Sequence, residues 1–294
     1  MSTCMITKKV VKNMIERRDR EIHKGDCGRV LMVSGSEGMM GAAILSCKGA
    51  IRSGAGLVQL SIPTRLFPIA QVAIPEATCI DHVFSKLDLS RYDAVAVGPG
   101  LGRSEESVNR VKNILDLYEG SLVLDADGLN MIAQYDLYDV LRARRGETII
   151  TPHMGEAKCL IEGAGERTIY DYKTGDIDER TRIAYKLKDI TDATVVLKGA
   201  GTIVATLEGK TYINITGNPG MATGGSGDVL TGIIAGLWGQ KWRGQRRTAQ
   251  NAAACGVFIH GLAGDLAAEA FGEYGLIAGD IAETIPFAIK EISE

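Results

Sequence analysis

Six short runs of this chain are apolar at consecutive rather than alternate positions, and each breaks into Gly, Asp or Pro. They are RVLMVSG (29–35), LVQLSI (57–62), AVAVGPG (94–100), SLVLDADG (121–128), TIITPH (148–153) and TVVLKGAG (194–201). Strands that are apolar on both faces, with helical spacing between several of them, predict a mostly parallel sheet covered by helices on both sides. The first intervening helix, GAAILSCKGAIRS (41–53), is rich in small residues and should lie close on the sheet. TIVATLEGKTYINIT (202–216) reads differently: two runs joined by Glu208, Gly209 and Lys210 predict a β-hairpin, an antiparallel element at one edge. From Gly227 onward the pattern is almost wholly helical, most clearly in AAACGVFIHGLAGDLAAEAF (252–271). No linker, repeat or low-complexity segment interrupts it, so residues 1–294 read as one α/β domain.

Composition narrows the function classes. A single globule of 294 residues buries about 75% of its unfolded surface, which leaves room for a sizeable core. Net charge is −3, with 45% hydrophobic and 23% charged residues, and no basic field is available for a polyanion, so nucleic acid is disfavoured as a partner. The one basic cluster, KWRGQRR (241–247), lies between helical patterns and reads as a solvated connecting loop. Six scattered cysteines with no CxxC argue for reduced thiols rather than a disulfide frame or a zinc site. The N-terminus mixes charges throughout and has no signal-peptide core, and no stretch reaches the roughly 18 uncharged apolar residues of a membrane helix. A cytoplasmic location without a membrane partner is the expectation.

Ligands of parallel sheets collect beyond the strands' carboxyl ends, where these polar and glycine-rich tails fall. NPGMATGGSGDVLTGIIAGL (218–237) places a single carboxylate, Asp228, where a glycine-rich turn meets an apolar helix. Glycines there let a ligand approach the backbone closely, and the orphan amides of the first helical turn form an anion site. Asp and Ser are also ordinary N-caps, and alone the turn favours function only slightly. Amides and a carboxylate in one turn, however, put a base beside the place where a phosphoryl group's charge is held. LKGAGT (197–202) lacks the Walker A pattern, and VSGSEGMMG after the first strand departs from GxGxxG, so neither a P-loop nor a Rossmann dinucleotide site is present. KGAGT reads equally as a tight turn before the hairpin or as a loop whose Lys198 approaches a nucleotide phosphate. Asp125 and Asp127 suit either a metal-bound phosphate or a helix cap, the commoner role. For His153 and Glu156, capping competes with ligand contact, which their place at the sheet edge favours. His23, His82 and His260 have no partners at ligand spacing and read as structural.

In order, GMMGAAILSCKGAIRSGAGLV (38–58), GPGLGR (98–103), LVLDADGLN (122–130), TPHMGE (151–156), VVLKGAGT (195–202) and the 218–237 segment resemble the ribokinase-like superfamily, and within it the ADP- or ATP-dependent NAD(P)H-hydrate dehydratases. The resemblance spans roughly residues 25–290 and implies a ribokinase-like fold. It implies repair of hydrated NADH or NADPH: the S epimer's ring hydroxyl is phosphorylated by ADP or ATP with Mg²⁺, and loss of phosphate restores the coenzyme. By similarity Asp228 is the base, and Gly224, Gly225, Ser226 and Gly227 form the anion hole. Also by similarity, Lys198, Gly199, Ala200, Gly201, Thr202 and Gly227 contact the nucleotide, Ala42, Gly102, His153 and Asp228 contact the hydrated coenzyme, and Glu156 supports Mg²⁺. The family implies a homotetramer as well, and the absence of an N-terminal epimerase domain leads one to expect epimerisation by a separate protein. ADP is the expected donor. Two other readings remain: a ribokinase-like kinase of a small molecule such as a vitamin precursor, and a nucleotide-binding regulator without turnover.

Overall fold

The computed structural model describes residues 2–15, 18–81, 88–167, 170–242 and 245–294; His82, read above as structural, lies outside them. Ten strands form one sheet: β1 (Ser2–Ile6), β2 (Arg29–Val33), β3 (Leu57–Ser61), β4 (Thr78–Ile80), β5 (Ala94–Val97), β6 (Ser121–Leu124), β7 (Thr148–Ile150), β8 (Thr194–Leu197), β9 (Ile203–Ala205) and β10 (Lys210–Asn214). Their order is β1-β10-β9-β8-β7-β6-β5-β2-β3-β4. Only β9 opposes its neighbours, pairing antiparallel with both β8 and β10, while every other pairing is parallel. A further short pair, β11 (Lys241–Trp242) and β12 (Gln245–Arg246), stands apart. The helices are α1 (Lys8–Lys12), α2 (Met40–Arg52), α3 (Phe67–Ala73), α4 (Glu105–Leu117), α5 (Asp127–Gln134), α6 (Tyr138–Arg142), α7 (Met154–Gly163), α8 (Ile177–Thr191), α9 (Ser226–Gly239), α10 (Ala249–Phe271) and α11 (Ala278–Ser293).

The two-residue period of the strands divides the core between two faces. Val30 and Met32 of β2 with Ala94 and Ala96 of β5 pack under α2, α9, α10 and α11, while Leu31, Val33, Val95 and Val97 pack under α4 to α8. The alanines of β5 leave room for α9, which lies against β5 and β6 and is buried almost throughout. The small residues of α2 and α9 bring the two helices close. At Gly232 an added Cβ would stand 1.9 Å from the Ser46 carbonyl oxygen of α2. Gly232→Ala is therefore expected to destabilise the fold by about 1–3 kcal/mol, since backbone rather than a flexible side chain must yield; a denaturant melt against wild type measures this, and an unchanged midpoint would contradict the packing.

Four features add to or depart from the sequence reading. The charged N-terminus opens with β1, which pairs with β10, so the hairpin is flanked on its outer side. The hairpin itself turns through residues 206–209, where Gly209 N donates to Thr206 O and Lys210 has already entered β10. The basic segment 241–247 is not simply a solvated loop. It includes β11 and β12, and it ends in the buried Arg247, whose carbonyl accepts from the buried indole of Trp238 at 3.0 Å. Finally, α10 is long and apolar enough to cross a bilayer by length and composition, but it packs against α9 and α11 as a core helix.

Candidate active site

The sheet's register levels one rim. Val33, Val97, Leu124 and Ile150 are successive partners across β2, β5, β6 and β7. The chain therefore leaves these strands side by side at Ser34, Gly98, Asp125 and Thr151. Backbone bonds carry the alignment one step further, with Asp125 N donating to Val97 O and Thr151 N to Leu124 O. Lys198 N donates to Pro152 O, which ties the β8 tail to the same rim.

Four charged side chains meet there. Asp125, 1% exposed, accepts from Lys198 Nζ at 2.7 Å on Oδ1 and from the buried Thr231 hydroxyl of α9 at 2.7 Å on Oδ2. Glu156, 7% exposed, lies with Oε2 3.7 Å from the same ammonium. Lys198 Nζ also lies 3.2 Å from where a Cβ on Gly227 would stand, which places the cation against the α9 terminus. Asp228 completes the group. Burial, then the neighbouring Asp125 carboxylate, lifts its pKa to about 6 against the pull of Lys198. Burial and Asp125 raise Glu156 in the same way. Burial works to lower Lys198, but Asp125 and Glu156 outweigh it and hold the amine protonated. Three carboxylates thus surround one ammonium, and the cluster carries more negative charge than it neutralises.

The α9 N-terminus is built to stay open. Helices α4, α8 and α10 are capped by the side chains of Ser104, Asp176 and Thr248. Helix α9 begins instead at Gly225, with φ +93° and no side-chain cap. An added Cβ there would stand 2.3 Å from the movable Leu45 Cδ1, and it is the left-handed backbone that requires glycine. Gly224 has open space above it. Ser226 Oγ lies 3.3 Å from His260 Nε2 of α10. Burial pushes His260 down to about 4, with Lys198 adding to the effect, so the imidazole is neutral near pH 7.

The remaining residues singled out from sequence also lie along this rim. Ala42, in the first turn of α2, abuts the 98–100 turn, where a Cβ on Gly100 would stand 2.9 Å from that of Ala42. Gly102 N donates to Asp127 Oδ2 at 2.9 Å, and Asp127 Oδ1 takes Arg103 Nε at 2.9 Å, so Asp127 bridges two tails as well as opening α5. His153 caps α7: its Nδ1 accepts from Gly155 N and Glu156 N, and Glu156 Oε2 accepts from His153 N at 2.8 Å. Capping and a place in the cluster are therefore compatible for both residues. In the 198–202 loop, Thr202 Oγ1 donates to Gly199 O at 2.8 Å and fixes the turn.

Among the described residues no three metal-ligating side chains converge into a cage. Both oxygens of Asp125 are engaged, and one oxygen of Glu156 is tied to the His153 amide. Magnesium bound with nucleotide phosphates asks for only one or two carboxylates, and an all-oxygen donor set with surplus negative charge fits that mode. Sequence left the role of Asp125 open and did not single out Thr231. The signal was present in LDADG, but its partners, Lys198 and Thr231, lie 73 and 106 residues away along the chain.

The NAD(P)H-hydrate dehydratase family profile matches residues 30–287. A bifunctional NAD(P)H-hydrate repair enzyme from Moorella thermoacetica is 37% identical over 99% of this chain and 54% of its own length, so the chain spans about half of that relative. Among solved structures, an ADP/ATP-dependent NAD(P)H-hydrate dehydratase from Bacillus subtilis, co-crystallised with ATP and Mg²⁺, is 28% identical with TM-score 0.83, covering 99% of both chains. A ribokinase-like superfamily protein from Enterococcus faecalis is 25% identical with TM-score 0.83, covering 99% of this chain and 96% of its own.

Proposed function

The chain belongs to the NAD(P)H-hydrate dehydratase family, and from that premise we propose that residues 1–294 form one domain that dehydrates the S epimer of hydrated NADH or NADPH at the expense of ADP or ATP. The observation that carries the reading is Asp228, a carboxylate raised to about 6 in the first turn of an uncapped helix, beside a buried ammonium. Asp228 takes the proton of the ring hydroxyl as that oxygen attacks the terminal phosphoryl group, and AMP or ADP leaves. The amides at 224–227 and Lys198 hold the charge that spreads over the transferring group. Breaking the ring carbon–oxygen bond then releases phosphate, loss of the neighbouring C–H proton restores the double bond, and the oxygen of the original hydrate departs in the phosphate. Magnesium, held by Glu156 together with the nucleotide phosphates, would supply neutralisation of phosphate charge. Residues 198–202 hold the nucleotide, and Ala42, Gly102 and His153 line the coenzyme side. A homotetramer and a cytoplasmic location complete the proposal.

Incubation with hydrated NADH, Mg²⁺ and either ADP or ATP should restore the absorbance of the reduced nicotinamide, faster with ADP. No recovery with either donor, alongside phosphorylation of a vitamin-type alcohol, would replace this reading with the small-molecule kinase. Because the base must be ionised, turnover is expected to fall with unit slope as pH drops through about 6. A rate that stays flat between pH 5 and 7, with the fold intact, would contradict Asp228 as the base.

A further inference from the structure

Arg180 lies on α8, 4% exposed, directly beneath the 198–202 loop. Its guanidinium donates through Nη1 to Ala200 O and through Nη2 to Leu197 O at 3.5 Å. The same Nη2 would stand 2.9 Å from a Cβ on Gly199, so the loop passes over the guanidinium at a distance that excludes a side chain. The Thr202 hydroxyl takes the intervening Gly199 carbonyl. Three carbonyls of the loop are thus engaged by side chains of the protein. The amides of Ala200 and Gly201, by contrast, have no backbone acceptor among the described residues.

Burial draws the pKa of Arg180 down and no carboxylate among the described residues counters this, whereas Arg103 pairs with Asp127 and the buried Arg110 pairs with Glu106. A guanidinium keeps its proton regardless. Holding two carbonyls needs only neutral donors, and burying a cation without an anion is costly. An anion on the other side of the loop would offset that cost.

Resting on the nucleotide-dependent reading above, we propose that Arg180 is a positioning residue for the donor: it holds the Leu197 and Ala200 carbonyls so that the Ala200 and Gly201 amides face the crevice, and its charge is matched by the nucleotide's phosphates. Sequence gave no sign of this, because one arginine among the charges of α8 reads as solvated.

The test compares wild type with Arg180→Gln and Arg180→Lys, using calorimetric ADP binding, the KM for ADP and for hydrated NADH, and kcat at saturating ADP. In Arg180→Gln the dissociation constant and KM for ADP should rise about tenfold or more, as for a lost charge-assisted interaction. The KM for hydrated NADH and kcat should stay near wild type. Arg180→Lys keeps the charge but loses the planar fork, so it should fall between the two; it reads the same split if the glutamine variant does not fold. Unchanged ADP affinity in either folded variant, or a lowered melting temperature with both KM values intact, would overturn the inference while leaving the proposed function standing. A wild-type protein that binds no adenine nucleotide would overturn both.

Discussion

Asp228→Asn is expected to lower kcat by about 10²- to 10⁴-fold, the range for a lost general base, while nucleotide affinity stays close to wild type. The amides of the α9 terminus and the ammonium of Lys198 remain in place in this variant, so the anion site persists and only the proton acceptor is gone. The same substitution should stabilise the protein. An acid whose folded pKa, about 6, lies above its ordinary 3.8 favours folding below the lower value and loses that advantage as pH climbs through the upper one. At neutral pH the ionised Asp228 is thus a liability of up to about 3 kcal/mol, less where water reaches the carboxylate, and the asparagine removes it. A melting temperature raised by a few degrees together with collapsed turnover would mark a residue kept for function against stability. Wild-type turnover in the variant would remove Asp228 from the mechanism.

Lys198→Met should have the second largest effect, through both charge and fold. Methionine keeps most of the stem's volume but leaves Asp125 and Glu156 facing each other without the ammonium 2.7 and 3.7 Å away. Breaking a buried pair of this kind costs about 3–5 kcal/mol. Lys198 also holds Asp228 down, so without it the Asp228 pKa rises above about 6 and less base is ionised at neutral pH. Loss of this electrostatic stabiliser should lower kcat by about 10²- to 10³-fold, with the acidic limb of the rate profile displaced to higher pH. Denaturant melts and a kcat–pH profile read the two consequences separately. A limb that stays at the wild-type position would show that Lys198 does not act on Asp228.

How much of this was legible in the sequence depends on how local each cause is. The central strands were visible because burial on both faces makes them continuous apolar runs, and GGSGD because its glycines and its acid are adjacent. β1 was not, since five residues before a charged helix become a strand only by pairing with β10, about two hundred residues further along the chain. β4, three residues long, carries too little pattern to read. At the site, sequence placed Asp228, Lys198, His153 and Glu156 on the rim, and register explains why they converge. It could not show that Asp125 and Lys198 form the central pair, nor that His153 and Glu156 cap α7 through each other. His260, read as structural, packs its ring nitrogen against the Ser226 hydroxyl at the α9 terminus, a contact set by the packing of α10 on α9 rather than by any spacing in sequence.

The most direct test of the account is the stoichiometry of phosphate release. With hydrated NADH, ADP and Mg²⁺, one inorganic phosphate should appear for each reduced nicotinamide recovered and each AMP formed, with no phosphorylated coenzyme remaining. AMP formed without free phosphate, its phosphoryl group retained on a stable ester, would contradict the dehydratase and identify a kinase acting through the same Asp228.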